Sequence, residues 1–234
     1  MRPFYLVIGA ILAFNTVLLG FLAWAYRSPR FESRRILLGV AMKVPARERA
    51  MNMAVSGVLS LVAVLGSTYL LFSSLFRSDL ALFATDGSAL GAVGRVALES
   101  AGILLVYDFT YYVLHRTMHH KQLMRWVHGV HHRARNPSAL ESFYLHPIEL
   151  LAGLGLLIAS TWVVGPVRME SFLVAFFVYS NLNIVIHSGL RFGHPLLAVI
   201  DFLTQKHHVH HRNDFSKNYA SLTPLPDLLF RTSG

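Results

Sequence analysis

Five long apolar stretches, Phe4–Tyr26, Met53–Phe76, Val96–Leu114, Pro147–Val167 and Phe172–Ile186, constrain this chain more than any other feature. At about 1.5 Å of rise per residue, most are long enough to cross a hydrocarbon core about 30 Å thick as helices. Across the 234 residues 54% of side chains are apolar and only 14% charged, enough chain for one domain but too little polar surface for an ordinary soluble one. The expected fold is therefore an all-α integral membrane protein with four to five transmembrane helices. The third and fifth stretches are the least secure, because Glu99 and Asp108 interrupt one and the other is short. The basic start Met1-Arg2-Pro3 also fits a signal peptide. Against that, the apolar run is too long for a usual signal core and no small-x-small cleavage site precedes Tyr26, so a first span is expected.

A net charge of +9 raises the question of nucleic acid, but the placement of the charge answers it differently. If all five stretches span, Arg27, Arg30, Arg34, Arg35, Lys43, Arg47 and Arg49 fall in the first loop. Arg116, Lys121, Arg125, Arg133 and Arg135 fall in the third, and Arg191, Lys206, Arg212, Lys217 and Arg231 in the tail. The other side keeps only Arg2, Arg77, Arg95 and Arg168. This is the positive-inside bias, which places the N-terminus outside and the C-terminus in the cytoplasm and makes the basic excess a topology and lipid-surface signal. The chain has no cysteine, which excludes disulfides, thiolate metal sites and cysteine nucleophiles.

Organisation along the chain is simple, without internal repeat or low-complexity tract. Residues 1–95 read as N-terminal transmembrane helices with their loops and 96–234 as a catalytic region, within one domain. Segment 27–51 mixes Arg pairs with Ile36, Leu37, Leu38, Val40 and Met42, which suits an interfacial helix on the cytoplasmic leaflet and equally a solvated connector. Segment 77–95, with Asp86-Gly87-Ser88 and Gly91, reads as an external loop, and Gly165-Pro166 as the turn of a hairpin joining the fourth and fifth stretches.

None of the thirteen histidines precedes His115. They then follow as His115-x-x-x-His119-His120, His128-x-x-His131-His132, His146, His187, His194 and His207-His208-x-His210-His211. Residues three and four apart share a helix face, so His115 with His119, His128 with His131 and His132, and His207 with His210 and His211 form three local chelates, suggesting more than one metal. His120 and His208 point off those faces, and a lone His194 at an interface reads as an anchor. The topology brings His115, the second cluster, His187 and the third cluster to one membrane face, giving a cytoplasmic helical cap with a histidine-rich di-metal site. Imidazole suits iron, copper, zinc and nickel alike. Zinc hydrolases and deaminases use about three protein ligands and would leave most of these histidines without a role. Two irons in an all-histidine shell would use the set. Soluble di-iron bundles carry Glu-x-x-His pairs, which this chain lacks.

The series Asp108-Phe109-x-x-Tyr112-x-x-His115-Arg116-x-x-His119, Trp126-x-His128-x-Val130-His131-His132, His146-Pro147-x-Glu149, Asn183-x-x-x-His187-Ser188-Gly189, His207-x-x-His210-His211, Asn218-Tyr219 and Asp227-x-Leu229-Phe230 resembles the fatty acid hydroxylase and sterol desaturase superfamily. The likeness covers roughly 108–232 in the family's order. It implies a non-haem di-iron centre that activates O2 as co-substrate with two externally supplied electrons and removes hydrogen from an unactivated carbon of a lipid-like substrate. Carried over by motif, the ligands are His115, His119, His128, His131, His132, His187, His207, His210 and His211, with His146 near the site. Asp108, two helical turns before His115, is expected to receive an imidazole N–H directly or through Tyr112, and Asn183, one turn before His187, is a similar candidate. In the closing segment Ala220, Pro226 and Arg231 replace a Gly, a Trp and a Gly of the usual pattern.

Hydroxylation of a lipid is the leading expectation and desaturation by the same centre its rival. A non-enzymatic histidine-rich metal-binding or transport protein would place ionisable residues at mid-membrane, whereas here the histidines collect at one end. A membrane b-type cytochrome would need paired axial histidines on facing spans. His146-Pro147-Ile148-Glu149 is not a cytochrome b5 signature and ferredoxin-like cysteines are missing, so a separate donor of ferredoxin or cytochrome b5 type with its reductase is expected. The expected setting is multi-pass, with the site on the cytoplasmic side of a bacterial plasma membrane or a eukaryotic endoplasmic reticulum, and no nucleic-acid partner.

Overall fold

The computed structural model describes residues 1–36, 44–77, 88–212 and 215–234, and among them the fold is all-helical. Five helices are long and apolar enough to cross a membrane: α1 (Arg2–Arg27), α2 (Ala46–Leu70), α3 (Ala89–Met118), α4 (Pro147–Val164) and α5 (Met169–Ile186). Two further helices, α6 (Ala198–His211) and α7 (Leu225–Leu229), belong to the cap. The chain is thus a multi-pass membrane protein of the expected class. The third stretch reaches further than its apolar run. Ser88 caps α3 by accepting from the Gly91 amide at 3.1 Å, so Gly91 lies in a helix rather than in an external loop.

Both acids that interrupt the third stretch are held by neighbours, which makes them compatible with a span. Glu99 accepts from the Arg168 amide at 2.8 Å and the Ser171 hydroxyl at 2.6 Å, tying α3 to the turn between α4 and α5. That turn is the expected hairpin: Gly165 caps α4 with φ of 108°, a conformation glycine tolerates best. α3 packs against both α4 and α5, α2 lies along α4 and α1 along α5. At the end away from the histidines the core is aromatic, with Phe4, Phe76 and Phe172 in mutual ring contact at 5.0–6.1 Å. In lipid such packing, together with hydroxyls turned to their own helix, holds spans together. Thr68, for example, donates to the Val64 carbonyl at 2.7 Å.

At the other end α1, α3 and α5 finish while α2 and α4 begin, and the cap closes over them. Asn52 of α2 exchanges hydrogen bonds with the Leu145 backbone at 3.0 and 3.1 Å, and Asn136 donates to the Tyr26 hydroxyl at 2.9 Å. In the described part of segment 27–51, Arg27 ends α1, residues 46–51 are the first turns of α2, and residues 28–36 form no interfacial α-helix. Pro29–Arg34 form a 3-10 helix, and Arg35 bridges Leu190 while the Ile36 amide donates to the Gly189 carbonyl at 3.0 Å. Leu37, Leu38, Val40 and Met42, which suit an interfacial helix, lie outside the described residues, as does Asp86-Gly87 of the second loop.

Candidate metal centre

α3 ends on His115 and Met118, and His119 caps it, so both imidazoles hang from the last turn of a span on one face. The chain then makes a π-helical turn at Met124–His128 and a 3-10 turn at His131–Arg133, which feed the second cluster in beneath them. α5 ends at His187, and α6 carries the third cluster in its final turns. All nine expected ligands meet here, in two groups. His115, His119, His128, His132 and His210 form one, and His131, His187, His207 and His211 the other.

In the larger group the Nε2 atoms of His115, His128, His119 and His210 form a closed ring with every edge 3.1 Å, and His132 joins at 2.9 Å from His128. A square of that edge has its corners about 2.2 Å from the centre, close to a metal–imidazole bond length. In the smaller group His187 lies 3.1 Å from His131 and 2.9 Å from His207, which is 3.1 Å from His211, all Nε2 to Nε2.

The outer ring nitrogens decide what those close approaches mean. Nδ1 of His115 donates to the Tyr219 carbonyl at 2.7 Å, that of His210 to Lys217 at 2.7 Å, that of His131 to Tyr144 at 3.2 Å and that of His187 to Asn183 at 2.7 Å. A carbonyl only accepts, so the proton of each neutral ring sits on Nδ1 and a lone pair on Nε2. His115 faces His210, and His131 faces His187, lone pair to lone pair at 3.1 Å. A second proton is opposed, because burial holds His210 down to about 3 and His131 to about 4 and pushes His187 well below its usual range. Burial, then the neighbouring imidazoles, lowers His119 to about 3 and depresses His128, His132, His207 and His211 likewise. A cation between the lone pairs resolves the conflict in each group, so the donor set fits two metal ions.

The pairing of the histidines corrects the expectation of three separate chelates. His128 and His132 share one group while His131 joins the other, and His207 and His211 share one while His210 crosses over. Rings four residues apart stay together and the ring three residues on reaches the opposite group, so each x-x-His-His motif spans both.

The supporting residues need larger corrections. Asp108 touches no imidazole: its carboxylate accepts from the Leu222 amide at 2.9 Å, the Thr223 amide at 3.1 Å and the Thr223 hydroxyl at 2.6 Å, pinning the cap to α3. Tyr112 pairs with the Thr232 hydroxyl at 3.1 Å, accepts from Arg116 at 3.0 Å and stacks on Phe230. Asn183 serves His187 through its backbone carbonyl, and its side chain lines the cavity described below. His146 caps α4, its Nδ1 accepting from the Ile148 amide at 3.2 Å. His194 does the same for Leu196 at 3.3 Å, and buried His208 pairs with Asn136 at 2.7 Å. The carboxylate that does hold one of these imidazoles is Glu149, which receives Nδ1 of His128 at 2.8 Å. Its signal in the sequence was an acid in the first turn of an otherwise apolar span, within the His146-Pro147-x-Glu149 motif. The carbonyls of Tyr144, Lys217 and Tyr219 had no signal, since any residue carries one.

A cavity rises from this centre into the bundle. His115, His131, His187 and His207 line one end, and Tyr107, Tyr111, Leu154, Phe176 and Val64 the walls. Its volume, about 110 Å³ on the scale where one water needs roughly 10–15 Å³, far exceeds a single water.

Fold and site together define a membrane protein with a paired, all-histidine metal-binding centre beneath an apolar cavity. Residues 100–232 match the fatty acid hydroxylase family, and the chain belongs to it. Methylsterol monooxygenase 1 of Rattus norvegicus is 29% identical over 136 residues, covering 56% of this chain and 45% of the relative. A putative methylsterol monooxygenase of Dictyostelium discoideum is 30% identical over 160 residues, 62% of this chain and 58% of that one. A very-long-chain aldehyde decarbonylase of Oryza sativa is 34% identical over 137 residues, 53% of this chain and 48% of that one. The chain thus spans about half the length of the curated relatives it matches. No solved structure gives a significant match.

Proposed function

We propose that this protein is a membrane-bound non-haem di-iron oxygenase that hydroxylates a C–H bond of a lipid-like substrate, with the nine histidines of the two groups as ligands. The observation that carries the reading is the division of nine imidazoles, eight of them buried and His119 half-buried, into groups of five and four, with their Nε2 atoms converging, at one end of a membrane bundle. The names of the relatives, two sterol monooxygenases and a decarbonylase of long-chain aldehydes, support a lipid substrate and oxygen chemistry. Bound there, two iron ions would supply the activation of O2, using two electrons from a separate donor of ferredoxin or cytochrome b5 type, that an unactivated C–H bond requires.

The chain's own residues supply the rest. The cavity reaches imidazoles of both groups, so a carbon seated at that end lies against the whole centre. Its largely apolar walls favour a hydrocarbon, while Glu149 and the carbonyl acceptors fix the tautomer and direction of five rings, those of His128, His115, His131, His187 and His210. The basic loops lie at the same end as the centre, which supports a cytoplasmic position.

The test is metal analysis and product analysis together. Purified protein should hold about two iron ions per chain, as two imidazole-lined groups require, and lipid extracts of cells with and without it should differ by a hydroxylated product. One zinc per active chain, with iron missing, overturns the reading, and a new double bond in place of a hydroxyl group turns it toward desaturation.

A further inference from the structure

The far end of the cavity holds a polar group that neither the fold nor the metal centre employs. The buried residues of α1 are Phe4, Ile8, Ile11, Asn15, Leu22, Ala23 and Ala25, an apolar set with one amide in it. Asn15 is only 7% exposed, it lines the cavity, and its Oδ1 has no hydrogen-bond partner among the described residues. Its neighbour Thr16 shows how a span normally settles such a group, by donating to its own Leu12 carbonyl at 2.9 Å. An amide left unpaired inside a membrane bundle is costly, and such groups are by default sites of function. Ser60 of α2 lines the same cavity.

Depth gives the amide its meaning. Asn15 precedes Tyr26 by eleven residues, which sets it about 16 Å along the helix axis from that tyrosine. The Tyr26 hydroxyl accepts from Asn136, which holds His208 in α6 at the level of the metal centre. The cavity is therefore walled by apolar and tyrosine side chains with a few hydroxyls, imidazole-lined at one end, where Asn183 also lies, and amide-bearing at mid-membrane.

We propose that Asn15 seats the hydroxyl group of a hydroxyl-bearing lipid, and that the distance from Asn15 to the histidines selects which carbon is oxidised. A hydroxyl satisfies both halves of the amide: it donates to Oδ1 and accepts from Nδ2, whichever way the amide is turned. A plain hydrocarbon would leave the amide unpaired. The inference rests on the proposed oxygenase reading for the role of the cavity's other end, and it specifies the substrate class.

The probes are 1-hexadecanol and hexadecane, titrated in detergent micelles against the purified full chain with thermal stability as the readout, and iron content measured on the same samples. Wild type should bind the alcohol about two- to tenfold more tightly, the span of one net hydrogen bond. Asn15→Leu and Asn15→Ala should keep iron content and fold, because removing an unpaired buried amide leaves nothing behind unsatisfied, yet should show the same affinity for both probes. Asn15→Ser should retain part of the preference. Differences in micelle partitioning cancel, since the alcohol-to-alkane ratio is compared between variants. A preference that survives both apolar substitutions places the hydroxyl elsewhere, and no preference in wild type removes it altogether; either overturns the proposal. So does unfolding of both apolar variants, which would make the amide a structural contact. Protein that lacks iron but keeps an Asn15-dependent preference would instead defeat the di-iron reading and leave this one standing.

Discussion

Glu149 and Arg231 show how much single residues carry here. Glu149 takes the outer nitrogen of His128 at 2.8 Å from inside the first turn of a span. Glu149→Gln keeps an acceptor but loses the charge, and iron affinity or turnover should fall about 10–100-fold, as is typical when the group behind a metal-bound imidazole is changed. Unchanged iron content in that variant would show that the carbonyl-like acceptor suffices. Arg231 stands where the family pattern has Gly, and its φ of 57° explains the preference for glycine at that position. A left-handed backbone costs a non-glycine residue about 1–2 kcal/mol, so Arg231→Gly should raise the midpoint of thermal unfolding in detergent. A lower midpoint would mean that the arginine side chain contributes more than its backbone costs.

Among the elements, the cap is where stability and metal binding meet. Lys206 of α6 and Asp227 of α7 form a buried ion pair, and Asp227 also accepts from the Tyr219 amide at 2.9 Å, two atoms from the carbonyl that holds His115. Asp227→Asn leaves the lysine buried without its counter-charge, so a loss of about 3–5 kcal/mol is expected, seen as a lower unfolding midpoint with weakened iron binding. The split of the x-x-His-His motifs predicts a stoichiometry. His131→Ala removes one of the four imidazoles of the smaller group and none of the larger, so on the proposed di-iron reading iron should fall toward about one per chain rather than to zero. Acid should act on the same element. His119 and His210 are held to about 3 and His131 and His208 to about 4, all below the unfolded value near 6.5. Below that pH the unfolded chain binds protons that the native one refuses, so stability falls as pH drops from about 6.5 toward 4 and is level above it. A metal-free sample whose unfolding midpoint stays constant from pH 7 to about 4.5 would contradict the burial of these rings.

For the whole molecule, the decisive property is that three chain segments ending spans, and two beginning them, share one end. Reporters fused after Lys121 and after Ser188 should therefore both read cytoplasmic, and one inserted at Arg168 external. Opposite readings for Lys121 and Ser188 would separate His115 from His187 by the thickness of the bilayer and end the case for one centre. The same geometry explains why the cavity meets both histidine groups: α3 delivers His115 of the larger group and α5 delivers His187 of the smaller one to its lining.

The all-α membrane class, four to five apolar spans and the hairpin turn at Gly165-Pro166 were legible in the chain, because hydropathy and turn signals are local or periodic properties. The family's motif order singled out the nine histidines. Two turns of helix suggest Asp108 as a partner for His115, but the carboxylate's partners, Leu222 and Thr223, lie more than a hundred residues away in the chain. Which histidines share a group, which carbonyls hold the outer nitrogens of His115, His131, His187 and His210, and that Glu149 rather than Asp108 receives an imidazole come from the tertiary structure. Each depends on where the cap folds back onto α3, and a carbonyl's use as an acceptor leaves no mark on residue identity. Asn15 belongs to both: its place in an apolar stretch is written in the chain, but only the packed bundle shows that nothing within the described residues pairs with its Oδ1.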